Sequence, residues 1–270
     1  MGFGFSRYTN TLSKITKEIN LIADFLARRD FDSLSKDALE NIFGSSKADL
    51  LILLGNSDVQ STMLAGNAMM NDLAENLLIC GGKGHSTSFL VSNIQQDAAF
   101  SDIQTNDKSE AEILCRVLKK NSSINPKKFF LETASTNCGS NAHEALRVVK
   151  ENDLKHSLVI LIQDATMQLR TNASFQKEWT NEKTTFVNYA SRKPRLILED
   201  DQVRFNIQNP PWTLERFISL VLGEIPRLRD APTGYGPKGK GFITHVDIPV
   251  EIEGAYESIS KTLPKQLFLR

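Results

Sequence analysis

In the stretch LVILIQDATMQLR, residues 158–170, an unbroken apolar run ends in a polar turn, and the turn leads into a helical pattern. The same form recurs in LLILLGNSD (50–58), LLICGGKGHST (77–87) and FFLETASTNCGSNAHEAL (129–146). Apolar runs without alternation are typical of strands covered on both faces. Strands that alternate with helices form a mostly parallel sheet. We therefore predict an α/β, Rossmann-like fold, with helices on both faces of that sheet.

The chain is predicted to divide into three parts: an N-terminal helical segment (1–47), a Rossmann-like α/β core (48–210) and a C-terminal helical and loop segment that packs on the core (211–270). Apolar spacing predicts helices over 11–27 and 37–43. Strands are predicted at 48–54, 77–80, 128–131 and 158–162, with a weaker one at 102–105. Helices are predicted at 61–75, 86–96, 109–121, 137–152 and 166–179.

The pattern is less regular beyond residue 180. Residues 195–198 and 203–207 indicate a strand or a hairpin that ends the sheet, and Pro210-Pro211 precedes a helix predicted at 213–222. The segment 223–247 then reads as a long loop ending in a strand at 242–246, and a last helix begins near residue 255. A loop of this length is usually functional or mobile.

Composition argues against several classes of protein. Thirty-two basic and 32 acidic residues cancel, so no overall field attracts nucleic acid. No apolar run approaches the length of a membrane span. Three widely spaced cysteines outside any CxxC pair favour a reducing compartment, and we expect a cytoplasmic protein. The histidines show no metal-binding spacing, so no metal is expected. The oligomeric state is left open, and a homo-oligomer is allowed.

The turn after the strand at 77–80 contains Gly81, Gly82, Lys83, Gly84 and His85. Glycines let backbone N–H groups approach a ligand, and the N-terminus of the following helix favours an anion. The spacing fits neither GxGxxG nor the Walker A motif. The turn is therefore either a ligand-binding loop or a tight turn capped by Ser86 or Thr87, and His85 is either a proton carrier or inert.

The turn after the strand at 128–131 collects Glu132, Ser135, Asn137 and Asn141. Ser135 or Thr136 is predicted to cap the next helix. The two asparagines lie four residues apart and share one helix face, where asparagine is a poor helix former. Their amides either orient a ligand or face solvent and tie down a neighbouring loop.

Three further groups of polar residues stand at strand ends or helix starts. Gly55 and Asn56 follow the first strand, and Asp164 follows the strand at 158–162. A helix-capping role explains the presence of Asp164 but not that of Arg170, whose guanidinium could form a bidentate pair with a carboxylate or a phosphate. Glu110 opens its helix, where the helix dipole alone favours an acidic residue.

The motifs LLILLGNSD, ICGGKGHSTSFL, STNCGSNA, DATMQLR, GEIPRLRD and GYGPKGKGFITHVD, taken together and in this order, resemble the YdcF-like branch of the ElyC/SanA/YdcF superfamily, a bacterial domain of unknown function. The resemblance implies a Rossmann-like core, and it implies binding of S-adenosylmethionine or a similar nucleoside. It marks as polar family positions Gly55, Asn56, Gly81, Gly82, Glu110, Glu132, Ser135, Asn137, Asn141 and Arg170. The commoner members have a serine in place of Cys80 and a tyrosine-histidine pair in place of Thr166-Met167.

Two functional hypotheses follow. The first is a small-molecule-binding protein or enzyme for an adenosyl compound, with Asn56, Asn137 and Asn141 orienting the ligand and with Glu132 and His85 as candidates for proton transfer. The second is a transferase or hydrolase for a phosphorylated cell-envelope precursor, with the phosphate held by Arg170, Lys83 and the loop 227–240. Neither hypothesis includes a nucleic-acid partner or a membrane span.

Overall fold

The centre of the computed structural model, which describes residues 2–121, 128–264 and 267, is a five-stranded sheet in the order β3-β2-β1-β4-β5. Its strands are β1 (Ala48–Leu54), β2 (Ala74–Cys80), β3 (Phe129–Glu132), β4 (Leu158–Ile162) and β5 (Thr185–Asn188). Every neighbouring pair is parallel. The predicted Rossmann-like α/β fold is therefore confirmed.

Helices cover both faces of this sheet. In chain order the helices are α1 (Gly2–Leu26), α2 (Lys36–Phe43), α3 (Val59–Met70), α4 (Thr87–Gln96), α5 (Glu110–Asn121), α6 (Cys138–Glu151), α7 (Gln168–Glu178), α8 (Leu214–Leu228) and α9 (Val250–Ser260). Leu51 and Leu53 of β1 belong to the core shared with α3 and α5, whereas Leu50 and Ile52 belong to the core shared with α6 and α7. Burial on both faces explains why the strand sequence shows no alternation.

A third apolar core joins the two ends of the chain. Ile22 of α1, Phe217 and Ile225 of α8 and Ile259 of α9 are buried in it, and it reaches the main fold through Leu169 of α7. A separate antiparallel hairpin of β6 (Leu196–Glu199) and β7 (Gln202–Phe205) packs against α1. The helical part built from the terminal segments thus lies against the α7 side of the Rossmann-like core.

Two predicted strands are wrong. Residues 102–105 follow α4 as turns, where backbone bonds such as Ile103 N–H to Phe100 O are local. Residues 242–246 join no sheet, because the N–H groups of Phe242 and Ile243 donate to Tyr235 O and that of Thr244 donates to Ala173 O. Local turns, and for Thr244 a carbonyl of helix α7, satisfy the backbone here without a strand partner.

The sheet does not end where the sequence pattern suggested. The hairpin of β6 and β7 forms its own sheet, and the edge beyond β4 is taken by β5, which was not predicted. Helix α8 also runs past Gly223 and through Pro226 to Leu228. Among the described residues, no helix combines the length and the apolar character needed to cross a membrane.

Candidate functional site

A cavity of about 610 Å³ opens at the carboxyl ends of the central strands. After β1 the chain moves outward to β2 and β3, and then it returns to place β4 on the other side of β1. The loops after β1 and β4 therefore diverge, and ligands of open α/β sheets bind at such a switch point. The volume falls in the range of small-molecule sites.

Twelve of the fourteen residues selected from the sequence line this cavity: Gly55, Asn56, Gly81, Gly82, Gly84, His85, Glu110, Ser135, Asn137, Asn141, Asp164 and Arg170. Lys83 and Glu132 do not. Lys83 is exposed, and its Nζ lies 3.9 Å from an Asp107 carboxylate oxygen. Parallel strands bring their carboxyl ends to one edge, which is why residues far apart in the chain meet here.

Glu132 is used by the turn between β3 and α6. Its Oε1 accepts hydrogen bonds from the backbone N–H groups of Ala134 at 2.5 Å and Ser135 at 2.8 Å, and its Oε2 accepts one from the Ser135 hydroxyl at 2.5 Å. The Ser135 Oγ also lies 2.7 Å from Asn141 Oδ1. With both oxygens engaged in the protein, the Glu132 carboxylate shapes the turn and does not face the cavity.

Glu110 is the carboxylate that the structure presents to the cavity. It is the first residue of α5 and is 5% exposed. Its Oε1 accepts hydrogen bonds from the hydroxyls of Ser86 at 2.7 Å and Thr87 at 2.8 Å. Oε2 makes no hydrogen bond within the described part of the chain. Burial raises the pKa of the Glu110 carboxyl, and the two hydroxyl bonds only partly oppose the shift.

The glycines of the loops give Glu110 its space. A Cβ atom on Gly55 would stand 2.2 Å from Glu110 Oε2, and one on Gly81 would stand 3.0 Å from Glu110 Cβ. A Cβ atom on Gly82 would meet the backbone oxygen of Ser135 at 2.2 Å. Close approach of the backbone therefore requires glycine at these positions, whether or not a ligand is bound.

The capping predicted for these turns is only partly right, since Ser86 stands at the N-cap position of α4 but Asn137 stands at that of α6. Ser86 makes no cap bond at the start of α4, because its hydroxyl goes to Glu110. Asn137, and not Ser135 or Thr136, caps α6: its Oδ1 accepts from Ser140 N–H at 3.0 Å, and Ser140 Oγ accepts in return from Asn137 N–H. The amide of Asn137 is thus explained by the helix start.

Asn56 and Asp164 also serve their own loops. Asn56 Nδ2 donates to Leu54 O at 2.7 Å and Oδ1 accepts from Asp58 N–H at 2.8 Å. Asp164 accepts the indole N–H of Trp212 at 2.9 Å, and burial raises the pKa of its carboxyl. Both residues line the cavity, but their hydrogen bonds hold the loops in shape.

Arg170 is neutralised by a buried partner. Its guanidinium makes two hydrogen bonds to the Glu224 carboxylate, Nε to Oε2 at 2.5 Å and Nη2 to Oε1 at 3.0 Å. The Glu224 side chain is fully buried in α8. Pairing a guanidinium with a carboxylate in this forked geometry offsets the cost of burying both charges.

Arg216 and Leu220 of α8 were not predicted as site residues, whereas Arg227 and Tyr235 fall in the segment 227–240 that the second hypothesis assigned to phosphate binding. Arg216, Leu220 and Arg227 line the cavity at spacings of four and seven residues, so they share one face of α8, and Tyr235 lies beside them. The Arg216 guanidinium stacks on Phe89, 3.4 Å from the ring centroid. The spacing within α8 was visible in the sequence, but nothing there tied that face to the glycine loops.

The described residues contain no group of three or more His, Cys, Asp or Glu side chains that could hold a metal ion. A scan of the chain against protein-family models finds no match.

Proposed function

We propose that this protein binds an adenosyl-containing small molecule in the cavity, with S-adenosylmethionine as the first candidate, and that it is a cytoplasmic, YdcF-like protein. The observation that carries the proposal is the position of the cavity at the switch point between β1 and β4, where its floor is made of glycine backbone. Open α/β sheets bind nucleotides and nucleosides at this point. The cavity volume of about 610 Å³ suits a ligand of that size.

The cavity offers a distinct partner for each part of such a ligand. The glycine loops 55–56 and 81–84 let a ribose or a carboxylate approach the backbone. Glu110 Oε2 is an open acceptor for a hydroxyl or a cationic group. Phe89 and Tyr235 add aromatic surface at the cavity wall, against which a planar base can stack.

For proton transfer, Glu110 replaces Glu132 as the preferred carboxylate, since Glu132 is enclosed in its turn. Burial raises the pKa of the Glu110 carboxyl above its ordinary value, and a raised pKa makes a carboxylate a stronger general base. His85 also lines the cavity and stays a candidate. The proposal specifies a binding site and its proton-transfer groups, and it leaves the reaction open.

Action on a phosphorylated cell-envelope precursor is the second candidate. The observation that favours it is the set of arginines on the cavity wall, Arg170, Arg216 and Arg227. Against it, Glu224 already neutralises Arg170, and Lys83 lies outside the cavity.

The test is thermal stabilisation of the purified protein by S-adenosylmethionine, S-adenosylhomocysteine, adenosine, AMP and a polyprenyl phosphate. A ligand at about 100 times its dissociation constant adds about 2.7 kcal/mol of stability. We expect adenosyl compounds to stabilise the wild type and the exposed control variant Glu40→Gln, and to lose most of this effect in Glu110→Gln. Stabilisation by the polyprenyl phosphate alone would favour the second candidate and refute the first.

A further inference from the structure

Of the arginines on the cavity wall, Arg227 makes no ion pair and no aromatic contact within the described residues, and we propose that it anchors an anionic group of the ligand, a carboxylate or a phosphate. This inference rests on the proposed function, because it names the part of an adenosyl ligand that the α8 wall recognises. It adds a binding residue at the end of the cavity that lies far in sequence from the glycine loops.

The contacts of the three arginines separate their roles. Arg170 is paired with Glu224 and Arg216 stacks on Phe89. Arg227 donates one hydrogen bond, from Nη1 to the backbone oxygen of Gly223, and no carboxylate pairs with it in the described part of the chain. A guanidinium has five N–H donors, so most of those of Arg227 remain for a ligand.

Arg227 is held in place before any ligand arrives. Its own backbone oxygen accepts the N–H of Tyr235 at 2.8 Å, which fixes an aromatic residue of the cavity wall to the same turn. On either side of it in α8, Ile225 and Leu228 are fully buried in the terminal core. The bond to Gly223 O restricts the side chain as well. A preorganised guanidinium loses less entropy when it binds an anion.

Glu110 gives the cavity a second unpaired charge, of opposite sign. Its carboxylate meets hydroxyl groups only, and no Lys, Arg or His forms an ion pair with it within the described residues. One carboxylate at the strand ends and one guanidinium on α8 fit a ligand that carries both an anion and a cation or hydroxyl. S-Adenosylmethionine has a carboxylate, a sulfonium and ribose hydroxyls, whereas adenosine has no anionic group.

The experiment is calorimetric titration of the wild type, Arg227→Gln, Arg227→Lys and the exposed control Arg204→Gln with S-adenosylmethionine, AMP and adenosine. We expect Arg227→Gln to raise the Kd of the first two ligands about 10- to 100-fold, and that of adenosine less than about 3-fold. Lysine at this position should restore part of the affinity. Comparison of S-adenosylmethionine with AMP shows whether the anion is a carboxylate or a phosphate.

Equal weakening of all three ligands, or no weakening of any, would overturn the anchor role of Arg227. Thermal stabilisation by inorganic phosphate is a second test, which does not depend on an adenosyl ligand. If no adenosyl compound binds the wild type, the proposed function fails. In that case, thermal stabilisation by phosphate that is lost in Arg227→Gln and retained in Arg204→Gln would still support the anion site. If phosphate does not stabilise the wild type, or stabilises Arg227→Gln equally, the proposed anion site is refuted.

Discussion

Glu110 and Glu132 are both buried carboxylates beside the glycine loops, but their hydrogen-bond partners differ, and so do their roles. Glu132 accepts hydrogen bonds from two backbone N–H groups and a hydroxyl of its own turn, so its carboxylate stabilises that turn. Glu110 lines the cavity, accepts two hydroxyl groups at one oxygen and makes no hydrogen bond at the other within the described residues. The sequence favoured Glu132, because the helix dipole alone accounts for an acidic residue at a helix start, where Glu110 stands.

The difference in stability between the Glu110→Gln variant and the wild type should depend on pH. Burial holds the pKa of Glu110 above its ordinary value of 4.5, so over the interval from that value to the raised pKa the folded chain binds more protons than the unfolded chain. The stability contribution of Glu110 therefore falls as pH rises through this interval. We expect urea unfolding to show Glu110→Gln gaining stability relative to the wild type as pH rises from 4.5 through the raised pKa of Glu110. A difference that stays constant with pH would contradict this assignment.

Two glycine-to-alanine substitutions should act with opposite sign. In Gly82→Ala the new Cβ would meet backbone oxygens of Ser135 at 2.2 Å and Thr133 at 2.7 Å, and we expect a loss of about 1–3 kcal/mol. The matched change Gly254→Ala lies in α9 with no atom within 4 Å of the new Cβ, and should gain about 0.5–1 kcal/mol. Urea unfolding measures both, and a harmless Gly82→Ala would refute the close approach of the two turns.

At the scale of elements, α8 shows how packing overrides local sequence signals. Proline lacks the N–H that a helix interior uses and normally costs about 3 kcal/mol there, so Gly223 and Pro226 predicted a helix end near residue 222. The helix continues because Ile225 and Leu228 are buried in the terminal core. This continuation carries Glu224 to Arg170 and Arg227 to the cavity.

The turn between β3 and α6 depends on the Glu132 side chain. Glu132→Ala leaves two backbone N–H groups and the Ser135 hydroxyl without this acceptor, and we expect it to lower the free energy of unfolding by about 1–3 kcal/mol. The exposed control Glu40→Ala on α2 should change it by less than about 0.5 kcal/mol. The two variants are compared in urea. Equal stability of Glu132→Ala and the wild type would show that the turn does not need the carboxylate.

At the scale of the whole molecule, the terminal helices complete the site. The Rossmann-like core supplies the glycine loops and Glu110, while α8 and the loop after it supply Arg216, Arg227 and Tyr235. The terminal core of α1, α8 and α9 holds that wall against α7. Neither part of the chain encloses the cavity by itself.

The buried pair of Arg170 and Glu224 links the two parts. Glu224→Gln would leave a buried guanidinium without its counter-charge, and we expect a loss of about 3–5 kcal/mol in urea unfolding. The double variant Arg170→Met with Glu224→Leu removes both charges and should recover most of that loss. If the double variant is no more stable than Glu224→Gln, the buried charge is not the cause.

The sequence could predict four of the five strands of the central sheet and twelve of the residues around the cavity. Strong apolar runs identify β1, β2, β3 and β4, and the sheet topology then brings the polar residues at their ends to one edge. The four-residue β5 was missed because TFVN is too short for a clear pattern and is stabilised by pairing with β4. The opposite error occurred at 242–246, where the sequence pattern predicted a strand but the segment pairs with no strand of the described chain.

The amino-acid sequence by itself determined the α/β class and the edge of the sheet where a ligand would bind, because hydrophobic periodicity and strand-end turns are local properties. The tertiary structure was needed to show that Glu110 lines the cavity whereas Glu132 does not, and that Arg227 makes no ion pair within the described residues. Those outcomes depend on contacts across long separations, as between Arg170 and Glu224 or between Ser86 and Glu110. Local sequence predicts most of the elements, whereas the end of α8, the pairing of β5 and the charge that is left for a ligand depend on how the elements pack and neutralise one another.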